Sequence, residues 1–164
     1  MGVGNYLMGD EGVGVHVAQR LSELKLPPGV DVLDGGTGGF YLMGALEQYP
    51  VVILVDATLD GQPAGTIRLI EPRFAADFPR SLSTHDVGLR DVIEALYIMG
   101  NVPKLYLIAV SVEDLQPMEI TMSHAVQEAA KQVVAEITTM LWDWWRERNR
   151  LSPEEDDNLH LSYP

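Results

Sequence analysis

Strands alternating with helices along this chain predict an α/β fold: a doubly wound, mostly parallel sheet flanked by helices on both faces. Three observations carry that prediction. The runs Val51-Val52-Ile53-Leu54-Val55 and Leu105 to Val110 are continuously apolar, the pattern of strands covered on both sides. Between and around them apolar residues recur with helical spacing. A glycine-rich stretch, Gly2-Val3-Gly4-Asn5, leads directly into the first of those helical segments.

From Gly12 to Leu24, apolar residues at Val13, Val17, Ala18, Leu21 and Leu24 mark one face of a helix, which Pro27-Pro28-Gly29 ends. Val30 to Asp34 reads as a short strand running into Gly35-Gly36-Thr37-Gly38-Gly39. Phe40 to Tyr49 reads as a helix stopped by Pro50. The strand Val51 to Val55 ends at Asp56, and Thr66 to Ile70 alternates in the manner of an antiparallel edge strand. Ser81 to Asp86 is a polar loop, with Ser83 or Asp86 placed to cap a helix reaching about Met99. After the strand Lys104 to Val110, a last helix begins near Ser123 and carries Val126, Ala130, Val133, Ile137, Leu141 and Trp144 on one stripe.

One piece is missing from this pattern. The glycine loop of such a fold follows a first, central strand, yet here the chain opens on the loop, so that strand reads as missing or truncated. The sheet is expected to expose backbone edges between the strands ending at Asp34 and Asp56, and the native product to start upstream of Met1.

Length and composition narrow the function. A chain of 164 residues with 46% hydrophobic content accommodates one domain, read as residues 1–146, followed by an acidic, disordered tail over 147–164. With 11 Lys+Arg against 24 Asp+Glu, the net charge of −13 repels polyphosphate and anionic membranes, so neither nucleic acid nor membrane is an expected partner. The absence of cysteine excludes disulfides, thiolate ligands and a cysteine nucleophile together. No apolar run approaches the roughly 20 residues of a membrane span, and no basic, apolar leader is present, so a cytoplasmic protein is expected.

A glycine-rich loop at a helix start usually offers N–H groups to a phosphate. Asp10 and Glu11 sit directly behind this one, which favours a positively charged guest, such as a metal ion, presented to Glu11 or Asp10. Glu11, Asp34, Asp56 and His85 all fall where a doubly wound sheet places ligands, at or beyond the carboxyl ends of strands. Each has a plainer reading: Asp56 could cap a turn with Ala57-Thr58, and a lone loop histidine such as His85 could simply be solvated. Taken together, two carboxylates and one imidazole suit a borderline divalent ion such as Ni²⁺ or Zn²⁺.

The stretch Gly2-Val3-Gly4-Asn5-Tyr6-Leu7-Met8-Gly9-Asp10-Glu11-Gly12-Val13-Gly14 resembles the N-terminal signature of the hydrogenase maturation endopeptidases. Asp34-Gly35-Gly36-Thr37, Val55-Asp56-Ala57, Ser83-Thr84-His85-Asp86-Val87-Gly88-Leu89 and Pro117-Met118-Glu119 look like that family's later blocks, in order, over about residues 1 to 140. The resemblance implies a nickel-sensing protease that removes a C-terminal extension from the large-subunit precursor of a [NiFe] hydrogenase. It implies Glu11, Asp56 and His85 as metal-binding positions and Asp34 as a residue with a role in cleavage. The implied nickel is supplied by the precursor, and another divalent ion could substitute. The tryptophans at 142, 144 and 145 lie outside the recognised pattern; Trp144 continues the apolar stripe of the last helix.

Two other readings compete. A nucleotide-binding oxidoreductase would need G-x-G-x-x-G, but Leu7 stands at the third glycine position and Asp10-Glu11 would repel a pyrophosphate. A non-catalytic metal-binding or chaperone-like protein on the same fold would need the same acidic and histidine positions. Other protease classes lack their marks here: the chain has no H-E-x-x-H, no G-x-S-x-G and no cysteine.

Overall fold

The computed structural model describes residues 1–72, 89–100, 102–114 and 118–150. Five strands form one sheet: β1 (Gly2–Val3), β2 (Asp34–Gly36), β3 (Val51–Thr58), β4 (Ile67–Ile70) and β5 (Lys104–Ser111), in the order β2-β1-β3-β5-β4. Every pairing is parallel except β4 with β5, so β4 is the expected antiparallel edge. Around the sheet lie α1 (Val13–Ser22), α2 (Tyr41–Leu46), α3 (Leu89–Met99) and α4 (His124–Arg150).

The side-chain period of two divides the core between the two faces of the sheet. On one face Val55, Ala57, Ile108 and Val110 pack with Val13 and Val17 of α1 and with Val126, Val133 and Ile137 of α4. On the other, Val52, Leu54, Leu105 and Leu107 pack with Leu46 of α2 and with Val92, Ile93 and Leu96 of α3. Burial on both faces is what the unbroken apolar runs of β3 and β5 require. Helix α4 continues through Arg150, so residues 147–150, expected to begin a disordered tail, extend the helix instead, and its Trp144 stacks against Tyr106 with ring centroids 5.0 Å apart.

Several boundaries differ from expectation. The central position is not vacant: the first residues of the glycine loop themselves supply a two-residue β1, with Gly2 level with both Asp34 and Val55. A strand that short offers its neighbour only that much ladder, so β2 is confined to Asp34–Gly36 and residues 30–33 lie outside it. Strand β3, paired along its whole length with β5, instead runs two residues past Asp56 to Thr58. Helix α2 also stops early, at Leu46, ahead of Pro50.

Below β1 the sheet is open. Register carried on from Gly2↔Val55 would set three further residues ahead of Met1 level with Ile53, Val52 and Val51. In their place is an apolar cavity of about 310 Å³, walled by residues such as Val32, Val52, Leu21 and Trp144. The amino group of Met1 closes its top and donates to the Ile53 carbonyl at 2.8 Å, where a parallel strand would place an amide. Burial lowers the pKa of that amine from 8.0 to about 6.

Fusing a short strand that ends in three apolar β-formers to Met1 is therefore expected to raise Tm, whereas a Gly-Ser extension of equal length does not. The folded amine has the lower pKa, so the parent chain has its full stability above pH 8.0 and loses part of it as the pH falls to about 6. The gain measured by thermal unfolding should accordingly be larger at pH 6 than at pH 8. An equal Tm for both extensions would show that the cavity does not accept a strand.

Candidate functional site at the carboxyl edge of the sheet

The glycines near the N-terminus serve backbone packing. A Cβ on Gly14 would lie 2.2 Å from the Val3 carbonyl oxygen and 2.3 Å from that of Val55, so only glycine lets α1 rest directly on β1 and β3. Gly4, at φ +139°, passes so close to the following turn that a Cβ would meet the Glu11 carbonyl oxygen at 2.0 Å. The chain then makes a 3-10 turn over Gly9–Gly12 and enters α1. This geometry places Asp10 and Glu11 at the carboxyl edge, 2% and 3% exposed.

The two acids have different surroundings. Asp10 Oδ1 accepts a hydrogen bond of 2.6 Å from the backbone N–H of Ser123, the residue before α4. Ser123 Oγ in turn accepts from Val126 N–H, so the carboxylate steadies the cap at the positive end of the long helix. Glu11 instead faces Asp56. The Asp56 residue as a whole is half-buried, but its carboxyl lies deep: burial drives its pKa from 3.8 to about 8, the Ala57 N–H at 2.9 Å opposes that, and the charge of Glu11 adds to the rise. A protonated Asp56 carboxyl beside Glu11 offers oxygen donors from which a divalent cation displaces a proton.

Asp34 is exposed and, through the shared pairing with Gly2, level with Val55, one residue before Asp56. It stands at the start of β2 rather than beyond the end of a strand, because β2 begins later than expected. Its Oδ1 accepts from the Gly36 N–H at 3.0 Å. His85 lies outside the described residues. Among the described residues no three acidic or histidine groups converge as a complete metal site.

Sequence reasoning missed His16. Its ring stacks on Tyr6 at 4.8 Å and hydrogen-bonds the backbone of Ile120, while burial, followed by the charge of Arg20, lowers its pKa. It thereby braces the loop after β1 against the segment leading to α4. On α1 it lies outside the apolar stripe, and an isolated histidine there gives no periodic signal.

Removal of the Asp10 carboxylate, as Asp10→Ala, should cost about 1.5–3 kcal/mol, the range for hydrogen bonds to charged groups, read as a lower midpoint in urea unfolding. Asp56→Asn is expected to act in the opposite sense and only at higher pH. The folded carboxyl has the raised pKa, so its stability contribution is complete below pH 3.8 and is lost as the pH rises towards about 8. In metal-free buffer the variant should match the parent near pH 4 and be the more stable at pH 8. A difference independent of pH would mean that Asp56 is not protonated by burial.

Comparison with known proteins was made against this geometry. Residues 15–140 match a family model described as hydrogenase maturation protease, a stretch that starts just after Glu11. The chain is 36% identical over 142 residues to the hydrogenase 2 maturation protease of Escherichia coli, covering 82% of this chain and 87% of that protein. It is 33% identical over 148 residues to the hydrogenase expression/formation protein HupD of Rhodobacter capsulatus, covering 88% and 70%. In structure it resembles the hydrogenase maturating endopeptidase HybD from E. coli, with a TM-score of 0.76 at 33% identity over 87% of this chain and 90% of that one. It also resembles the [NiFe] hydrogenase maturation protease HycI from Thermococcus kodakarensis, with a TM-score of 0.70 at 29% identity over 85% and 88%.

Proposed function

The chain belongs to the hydrogenase maturation protease family, and from that premise we propose that it removes the C-terminal extension from a [NiFe]-hydrogenase large-subunit precursor in the cytoplasm, cutting only after nickel has been installed. The observation that carries this reading is the electrostatic coupling of buried Glu11 with the deeply set Asp56 carboxyl at the carboxyl edge, two oxygen donors suited to a divalent cation. Among the described residues no helix is long and apolar enough to cross a membrane.

In this reading Glu11, Asp56 and His85 add ligands to the nickel that the precursor brings. His85 precedes by four residues Leu89 of α3, which packs on the sheet face that also receives Val52 and Leu54. Hard and borderline donors hold the ion weakly by themselves, so recognition depends on the precursor's own ligands. The nickel offers Lewis-acid assistance to a nearby carbonyl or water. The chemistry assigned to this chain is proton transfer. Water adds to the scissile carbonyl carbon, solvent-exposed Asp34 takes its proton, and that proton passes to the departing amine as the C–N bond breaks.

The test is incubation with nickel-loaded and nickel-free precursor, followed by mass measurement of the large subunit. Only the loaded precursor should shorten. Glu11→Gln, Asp56→Asn and His85→Ala should each slow cleavage by at least the roughly 10–100-fold seen when the surroundings of a metal site are altered. Equal cleavage of both precursor forms would overturn the nickel check. Binding of loaded precursor without any cleavage would favour the chaperone-like reading.

A further inference from the structure

The edge of the sheet that carries the acids also carries an apolar surface that the core does not use. Tyr6 and Leu7 are 38% and 53% exposed, Phe40 and Tyr41 are 52% and 94%, and Met118 and Ile120 are 89% and 50%. Singly exposed apolar residues are ordinary on a protein surface, but a contiguous group is not. These three pairs belong to the segments that follow β1, β2 and β5, and backbone bonds tie the segments together. The Gly4 N–H donates to the Gly36 carbonyl at 2.9 Å and the Gly9 N–H to the Glu119 carbonyl at 2.7 Å. Met8 and Glu119 form a parallel bridge as well. The three segments therefore meet along the carboxyl edge, beside the turn that holds Asp10 and Glu11.

Two features keep this face presented. Met118 holds φ at 63°, the one positive value among the described non-glycine residues, a conformation that an unbranched side chain adopts only under constraint from its surroundings. Tyr6 is held by its stack on His16, which also bonds the Ile120 backbone. The face is thus built rather than left over, and it borders the carboxylates where a polypeptide must arrive.

We propose that these three segments form the docking surface for the hydrogenase precursor, and that the partner contributes an apolar patch beside its cleavage site. The proposal rests on the protease reading above. An acidic protein of net charge −13 would otherwise be expected to select its partner by charge. Apolar docking instead leaves association nearly independent of salt and gives it a negative heat-capacity change. Specificity then resides in Met118 and Leu7, the most exposed aliphatic side chains closest to the acids in the chain or in the bridged segment.

The experiment uses the full chain and nickel-loaded precursor, with binding measured by calorimetry at low and high salt and processing measured by mass. The double variant Leu7→Ser with Met118→Ser should weaken binding about tenfold or more and raise KM alike, with kcat at saturation and Tm near those of the parent. Met118→Gly supplies a second readout: it relaxes the left-handed backbone, so Tm should rise while binding weakens. Ile98→Ser, 82% exposed at the carboxyl end of α3 and hence at the opposite edge of the sheet, should change neither. Parent-like binding by the double variant, with the parent processing normally, overturns the docking surface alone. A tenfold loss of parental affinity at high salt also overturns it. Failure of the parent chain to process the loaded precursor overturns the protease reading beneath it.

Discussion

The carboxyl edge of this protein depends on one close approach, that of α1 to the backbones of β1 and β3 at Gly14. Backbone contact at that distance leaves no room for a side chain, and it draws the preceding turn inward until Asp10 and Glu11 are almost fully buried. A carboxylate so placed needs hydrogen bonds, protons or cations around it. The rest of the site answers that need: the N-terminus of α4 for Asp10, and the Asp56 carboxyl for Glu11. The glycine-rich stretch therefore works through steric absence, and its resemblance to a phosphate loop is superficial, because the groups it brings together are anions.

The neighbouring acids Asp10 and Glu11 are divided by their surroundings. Asp10 accepts a hydrogen bond at a helix terminus, which fixes the start of α4 against the turn. Glu11 lies near another acid in a poorly solvated setting, and Asp56 holds its proton at a pH where an isolated carboxyl would not. Although adjacent and chemically alike, one residue is bonded to the start of α4 and the next is set beside Asp56. The linkage also means that movement of the segment between β5 and α4 would be felt at Glu11, since Asp10 is joined to that segment and Glu11 to Asp10.

The two ends of the sheet contrast in a similar way. At the carboxyl end short segments converge, bond to one another and display apolar side chains around acids. At the amino end, two-residue β1 leaves β3 and residues 30–33 apart, with an apolar cavity between them and an amine carrying the role of an amide. The sheet nonetheless holds because β3 and β5 pair over eight residues and both bury their side chains on two faces. Stability is thus concentrated in the β3–β5 half, whereas Asp10 and Glu11 hang on the turn that follows the short β1.

The sequence by itself determined the layers. Continuous apolar runs in β3 and β5 admit only strands covered on both sides, and the stripes of α1 and α4 follow from helical periodicity, both being local properties of the chain. It also brought Glu11, Asp34 and Asp56 into view, since strand ends and the loop after β1 are readable from where apolar patterning stops. Tertiary structure decided the rest. The length of β2 depends on a partner strand whose Gly2 pairs with Asp34, far outside any local window, so Val30 to Asp34 could not be bounded locally. Which of Asp10 and Glu11 faces α4 depends on a contact spanning 113 residues. The raised pKa of Asp56 and the outward hold on Met118 arise from burial and from loops meeting across the sheet, and no pattern within a single segment records either.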